Sequence, residues 1–227
     1  MKRYIISAGG VALLCLIGAR LQAADEPTRF YARSGSKMRI EGTANMIHTH
    51  WQVESPLIGG WLEAGPGFPT EPGQAATPGK VQAKAEVFVM VRSLKSVKED
   101  GTPYDEAMDR VMYEHLKADT DPKARILYRL TDLTLKEAPK SKDAPYVFEA
   151  KGDIVVAGVT NQVTTPINVL PQGDKKLKIT GSGAVKMSDF KMQPPTALAG
   201  ALKTGDEVKL SFEWNVMQRA PAAAASK

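Results

Sequence analysis

The sequence predicts an all-β protein: an antiparallel barrel of eight or nine strands with one good helix. Runs rich in Val, Ile and Thr alternate apolar and polar residues with a period of two, the mark of strands with one buried face. Clusters of Gly, Pro and Asn punctuate those runs as turns. Nothing repeats the strand, helix, strand rhythm of a parallel sheet. For so many antiparallel strands, an up-and-down barrel is the closure that leaves no exposed edge. The clearest hairpin is Gly152 to Leu170 (GDIVVAGVTNQVTTPINVL), whose two β-forming runs meet at Gly158-Val159-Thr160-Asn161-Gln162.

The N-terminus opens with Lys2 and Arg3, continues as an apolar run of 13 residues from Ile5 to Ile17, and reaches Leu21-Gln22-Ala23 before Ala24-Asp25-Glu26. Charge, apolar stretch and small-residue cleavage site together predict a secretory signal peptide over residues 1–23. The run is shorter than the roughly 20 residues of a spanning helix and contains Ser7, Gly9 and Gly10. A soluble protein, periplasmic or secreted, is expected. The single cysteine, Cys15, follows Leu14, whereas a lipidation signal takes a small residue there. Removing Lys2, Arg3 and Arg20 takes 30 basic residues to 27 against 25 acidic ones, a net charge of only +2. With the remaining charges of both signs interspersed, nucleic acid is not expected as a partner. The mature chain then has no thiol for disulfides or metal binding.

The elements follow in order. Residues 36–44 (SKMRIEGTA) place Met38, Ile40, Gly42 and Ala44 on one face. Met46 to Val53 continues with the opposite parity, which a bulge or bend near 45–47 would explain. Leu57 to Glu63 is apolar enough for a short strand. Ala64 to Gly79 holds four prolines and four glycines in sixteen residues and reads as a long loop, either a lid over one end of the sheet or a surface excursion. Val81 to Val91 sets Val81, Ala83, Ala85, Val87, Val89 and Val91 on one face, while Phe88 and Met90 make its other face apolar, as if packed under a helix. That helix is predicted over Tyr104 to Lys117, with Met108, Val111, Met112, His115 and Leu116 as its stripe. Further strands are expected at 124–135, 146–156, 160–169, 176–187 and 207–216. The alanine-rich tail, 218–227, is expected to be disordered.

No phosphate loop, nucleophile elbow or thiolate pair occurs, so an enzyme is not expected and no cofactor is implied. Asp105, Glu106 and Asp109 gather where the predicted helix begins, a position explained by the helix dipole. Met38, Ile40, Met46, Val87, Val89, Val91, Met108 and Met112 are the candidates for lining an apolar lumen, although side chains that merely pack together would give the same pattern. His48 and His50 share a strand face and suit either a polar contact at the barrel mouth or, with a third ligand such as His115, a metal. Trp51, Trp61 and Trp214 read as core or barrel-end plugs. An outer-membrane barrel is rejected, because its aromatic girdles do not fit a chain with 7% aromatic residues.

Several segments together resemble the YceI-like family: SKMRIEGTANMIHTHW (36–51), the strand and helix from Val87 to Leu116 with VRSLKS, Asp121-Pro122-Lys123-Ala124 before a strand, GDIVVAGVTNQV, and SDFKMQPP followed by LKTGDEVKLSF. The resemblance runs over roughly residues 34–217. It implies an eight-stranded lipocalin-like antiparallel barrel with one or two short helices. It further implies that the lumen holds a polyisoprenoid, an isoprenoid quinone or a similar amphiphilic lipid, with no catalytic residues. This sequence departs from the family pattern in separating His48 from Trp51 by two residues, and in its long loop after Glu63. Two other readings stay open: a structural or interaction protein with a self-filled barrel and the 64–79 loop as contact surface, and a metal-binding protein using His48 and His50.

Overall fold

The computed structural model describes residues 27–45, 50–197 and 202–218. Its first stave is β1 (Thr28–Ala32) continued after a turn by β2 (Lys37–Ala44), and its second is β3 (His50–Ser55) continued by β4 (Gly59–Ala64). After β5 (Gly79–Lys80) the third stave runs through β6 (Ala83–Met90) and β7 (Lys95–Val97), broken by a 3-10 turn at Val91–Ser93. Helix α1 (Glu106–His115) leads to β8 (Arg125–Glu137), β9 (Tyr146–Val156), β10 (Val159–Gly173) and β11 (Lys176–Lys186). A short β12 (Thr196–Ala197) precedes β13 (Leu202–Gln218). Each stave pairs antiparallel with its neighbours in sequence, and β13 returns to β1 and β2, closing a ring of eight.

Closure falls on a ladder that is interrupted midway. Along one edge β13 pairs with both β1 (Ala32↔Val216) and β2 (Met38↔Phe212), and between them the chain turns away. Asn215 bridges that break. The Arg33 N–H donates to its carbonyl (2.9 Å), its own N–H donates to Ser36 Oγ (3.0 Å), and its Nδ2 donates to the Gly35 carbonyl (2.8 Å). Ser36 is buried, so the bond its hydroxyl accepts replaces lost water.

The outer wall carries opposite charges at directly paired positions. Arg29 faces Glu63 (2.7 Å), Arg39 faces Glu54 (2.7 Å) and Arg129 faces Glu86 (3.1 Å). Exposed pairs of this kind contribute little stability. They do oppose slippage, because a shift of one residue would turn each charge inward.

One end of the barrel is sealed by the loop between β4 and β6. Phe68 turns inward and stacks on Phe148 of β9, with ring centroids 5.8 Å apart and planes 13° from parallel. Pro69 beside it is fully buried, and the Tyr146 hydroxyl donates to the Gln74 carbonyl. A segment too rich in Pro and Gly for regular structure thus packs as a plug, held by apolar burial instead of a backbone ladder.

The structure corrects several local expectations. The parity change after Ala44 is no bulge within one run: Thr43 pairs with His50, so the chain reverses there. Residues 46–49, including Met46 and His48, lie outside the described residues, as do 1–26 and 219–227. Val91 leaves the strand face for the 3-10 turn, its N–H donating to the Ala124 carbonyl of the neighbouring stave. Leu57 is 62% exposed, and the short strand begins only at Gly59. β1 was not anticipated.

Phe68→Ala is expected to lower unfolding free energy by about 3–5 kcal/mol, the usual cost of deleting a buried ring. Pro78→Ala on the exposed side of the same loop should stay within about 0.5 kcal/mol. Urea denaturation of both variants checks this, and a loop lying idle on the surface would leave both midpoints unchanged.

Candidate functional site

Registers fix which side chains point inward. Val87, Tyr128, Ile154 and Asn161 are mutual partners across four staves, and Trp214, Ile179, Val169 and Tyr146 form a second row. The two rows differ in packing. Near the plugged end the inward residues Tyr146, Phe148, Val169, Leu177, Trp214 and Val216 are all buried. Towards the other end, Val163 and Ile167 of β10, Val185 of β11, and Leu210 and Phe212 of β13 also face inward and touch the core, yet remain only half-buried. The barrel is therefore solid at one end, and at the other an apolar cup opens along the β10, β11 and β13 side, since Val89, Ile126, Ile154 and Val156 of β6, β8 and β9 stay buried there.

Helix α1 covers part of the cup's rim. Asp105 caps it, accepting from the Ala107 N–H at 2.8 Å. Asp109, expected only to favour the helix dipole, is buried and ties the helix to β7: Oδ1 accepts from the Ser96 N–H (2.7 Å), and Oδ2 lies 3.2 Å from Lys95 Nζ. Tyr113 Oη adds a bond to the Leu94 carbonyl at 2.8 Å. So held, α1 packs Met108, Met112 and the following Leu116 against the core. The rest of its predicted stripe does not join them. Val111 is 41% exposed, and His115 Nδ1 bonds the Val111 carbonyl of its own helix.

Flat rings make room in the cup. Trp51 lies over its cross-strand partner Gly42, Phe212 over its partner Gly181, and Tyr128 over Gly152 of the adjoining strand. A Cβ at Gly152 would come within 2.4 Å of the Tyr128 ring, so any side chain there would displace the phenol. Two buried side-chain polar atoms have no hydrogen-bond partner among the described residues: Tyr128 Oη and Trp214 Nε1, both on inward-facing residues. Burial, and to a smaller extent the Asp153 carboxylate, pushes the Tyr128 pKa up to about 12.

Of the predicted lumen residues, Met38, Ile40 and Val89 are inward and buried, Val87 is inward and half-buried, and Met108 and Met112 reach the core from α1. Val91 is buried in its 3-10 turn. His50 is exposed at the start of β3, and among the described residues no three potential metal ligands come together. Sequence reasoning missed the open wall itself, Val163, Ile167, Leu210 and Phe212, together with Tyr128. Alternation in β10 and β13 was visible, but which parity faces in depends on pairing. The apolar outer residues Phe88 and Met90 line a groove of about 730 Å3 beside Leu116, with Lys117, Lys123 and Arg125 among its other walls. That groove lies across the wall from the cup.

A closed up-and-down barrel of eight staves with an apolar cup inside belongs to the lipocalin-like class of β-barrels. More narrowly, the chain belongs to the YceI-like family: the YceI-like domain matches residues 66–216, from the plug loop to the end of the closing strand. Among solved structures, the fold is similar to BcnA of Burkholderia cenocepacia, at 15% identity and a TM-score of 0.53, covering 79% of this chain and 95% of that one. It is also similar to a polyisoprenoid binding domain from Saccharophagus degradans implicated in plant cell wall breakdown, at 10% identity and a TM-score of 0.56, covering 84% and 98%. At these identities the likeness is one of fold. No curated protein matches the chain.

Because Tyr128 is held neutral, its contribution to stability is complete below the ordinary tyrosine range and is lost as pH rises through that range towards 12. In an absorbance titration of phenolate, Tyr128 should ionise late, and Tyr128→Phe should remove a step near pH 12. Tyr146, also raised by burial, remains late in both proteins. Loss of a step in the ordinary tyrosine range instead would place Tyr128 in water.

Proposed function

We propose that this protein is an exported binding protein that carries an amphiphilic lipid of the isoprenoid kind in the open half of its barrel. One observation carries the reading: inward side chains that are apolar yet only half-buried, in a barrel packed solid beneath them. Apolar surface left accessible inside a closed wall is costly unless something covers it. A prenyl chain suits the task, since each buried methylene contributes about 0.8 kcal/mol. Family membership and the polyisoprenoid binding domain that shares the fold support the ligand class. Export rests on the leader-like pattern of residues 1–23, and a periplasmic or secreted location follows from it. The ion pairs on the outer wall are the opposite of the apolar band that a membrane-spanning barrel turns to lipid. Among the described residues no helix is long and apolar enough to cross a membrane.

Native mass spectrometry of untagged protein, purified from an exported fraction without detergent, should show a discrete added mass that extracts into organic solvent as a prenyl lipid. A bare polypeptide that also refuses added quinones and polyprenols would end this reading. Adjacent substitutions test the wall itself. Val163→Asp, on the cup side of β10, should abolish lipid retention because an unpaired carboxylate enters an apolar cavity. Thr164→Asp, on the outer side, should leave retention unchanged; equal effects from both variants would show that the inner face does not hold the ligand.

A further inference from the structure

The side of the barrel that leaves the cup half-covered is also the side whose ladder is incomplete. β10 stays paired with β9 as far as Val159↔Val156, and β11 with β13 as far as Lys186↔Glu207, yet the register between β10 and β11 stops at Ile167↔Gly181. From there towards the cup, residues 159–166 and 182–186 run on with no paired position between them. Pro166 stands where the pairing ends and has no N–H for a further rung. The accessible apolar surface borders this seam: Val163 and Ile167 lie on one lip and Val185 on the other, all half-buried, whereas Val89 and Ile126 of β6 and β8 are buried.

A short clasp closes the seam at its open end. The 3-10 turn Ser188–Phe190, which follows β11, touches both lips. Asn161 Nδ2 of β10 donates to the Asp189 carbonyl at 2.7 Å, and the Ser188 N–H and Oγ donate to the Asp206 carboxylate of β13 at 2.8 and 2.6 Å. Phe190 is 2% exposed and packs into the barrel's core. The closure thus consists of these hydrogen bonds and one buried ring, with no ladder beneath them, and segments held in that way open at low cost. Entry at the rim meets a firmer obstacle, since α1 is anchored there through the buried Asp109 and packs Met108, Met112 and Leu116 against the core.

We propose that the lipid enters and leaves sideways, between β10 and β11, and that the Ser188–Phe190 turn is the clasp that closes behind it. This rests on the lipid-carrier reading and adds the route of exchange to it. A slit along the wall suits a long chain, which slides in along its length instead of threading end-on.

Rates of uptake test the route while equilibrium binding tests the carrier. The probe is ubiquinone-2, followed in delipidated protein by stopped-flow quenching of tryptophan fluorescence. Thr164 and Ala184 are exposed positions that extend the β10–β11 register on the outer face, and the barrel has no cysteine of its own. Oxidising the Thr164→Cys/Ala184→Cys variant should slow uptake about tenfold or more, and reduction should restore it. Asn168→Cys/Thr180→Cys, at a paired position of the same ladder, should take up the probe at the unmodified rate when oxidised. Asn161→Ala should quicken uptake about fivefold, the scale of one lost hydrogen bond, with little change in equilibrium affinity. Uptake indifferent to the 164–184 disulfide, or slowed equally by both disulfides, would overturn the lateral route while the carrier reading stands. Should the 164–184 pair not cross-link, Asn161→Ala decides alone, and uptake no faster than in the unmodified protein overturns the route. No binding of the probe by the unmodified protein at equilibrium would remove both readings.

Discussion

Everything in this molecule depends on one ladder, the return of β13 to the first stave. Without it the sheet would have two raw edges and an apolar inner face open to water. The join is made by two partners on a single edge, β1 and β2, with Asn215 and Ser36 supplying the hydrogen bonds where those partners separate. Backbone pairing fixes the circumference, and charge pairs on the outer wall hold its register. Only then does the alternation of side chains acquire an inside and an outside.

Closure leaves the interior to be filled, and the two ends solve that differently. Around Phe148, Tyr146 and Trp214 the staves meet an incoming plug, and side chains interlock as in an ordinary core. At the other end the rings lie flat against glycines, the inward residues of β10, β11 and β13 are only partly covered, and α1 comes in from the side. The same wall thus serves as core and as container. The floor supplies the stability that lets the cup stay unfilled by the protein itself.

Much of this architecture was legible in the sequence. β9 and the start of β11 could be read from alternation alone, and the hairpin after β9 from its glycine, although the turn falls at Ala157-Gly158, both with positive φ (50° and 85°), and not further along. β1 was invisible because TRFYA is five residues long and acquires meaning only through its long-range partners, β4 and, nearly the whole chain away, β13. Reversal after Ala44 was mistaken for a bulge, since parity alone cannot tell a kink from a turn. The candidate site was harder still. Tyr128 stands out only when Gly152 from the next strand is laid beside it, and the half-buried wall of β10 and β13 only when burial is compared along the barrel. Of the methionines and valines chosen from the sequence, Met38, Val89 and Val91 are buried and Val87, Met108 and Met112 partly so, but alternation reports burial and does not distinguish a packed interior from an open one.

The glycines beneath the rings have a wider consequence. Trp51, Phe212 and Tyr128 lie back against the wall because the neighbouring strand offers no Cβ at Gly42, Gly181 and Gly152. The bore of the cup is accordingly set by glycines that lie behind the rings. Adding a single methyl group at one of them would tilt a ring towards the axis and narrow the bore from behind. Exchanging glycine for alanine in the wall would thus change the bore with every lining side chain left as it is.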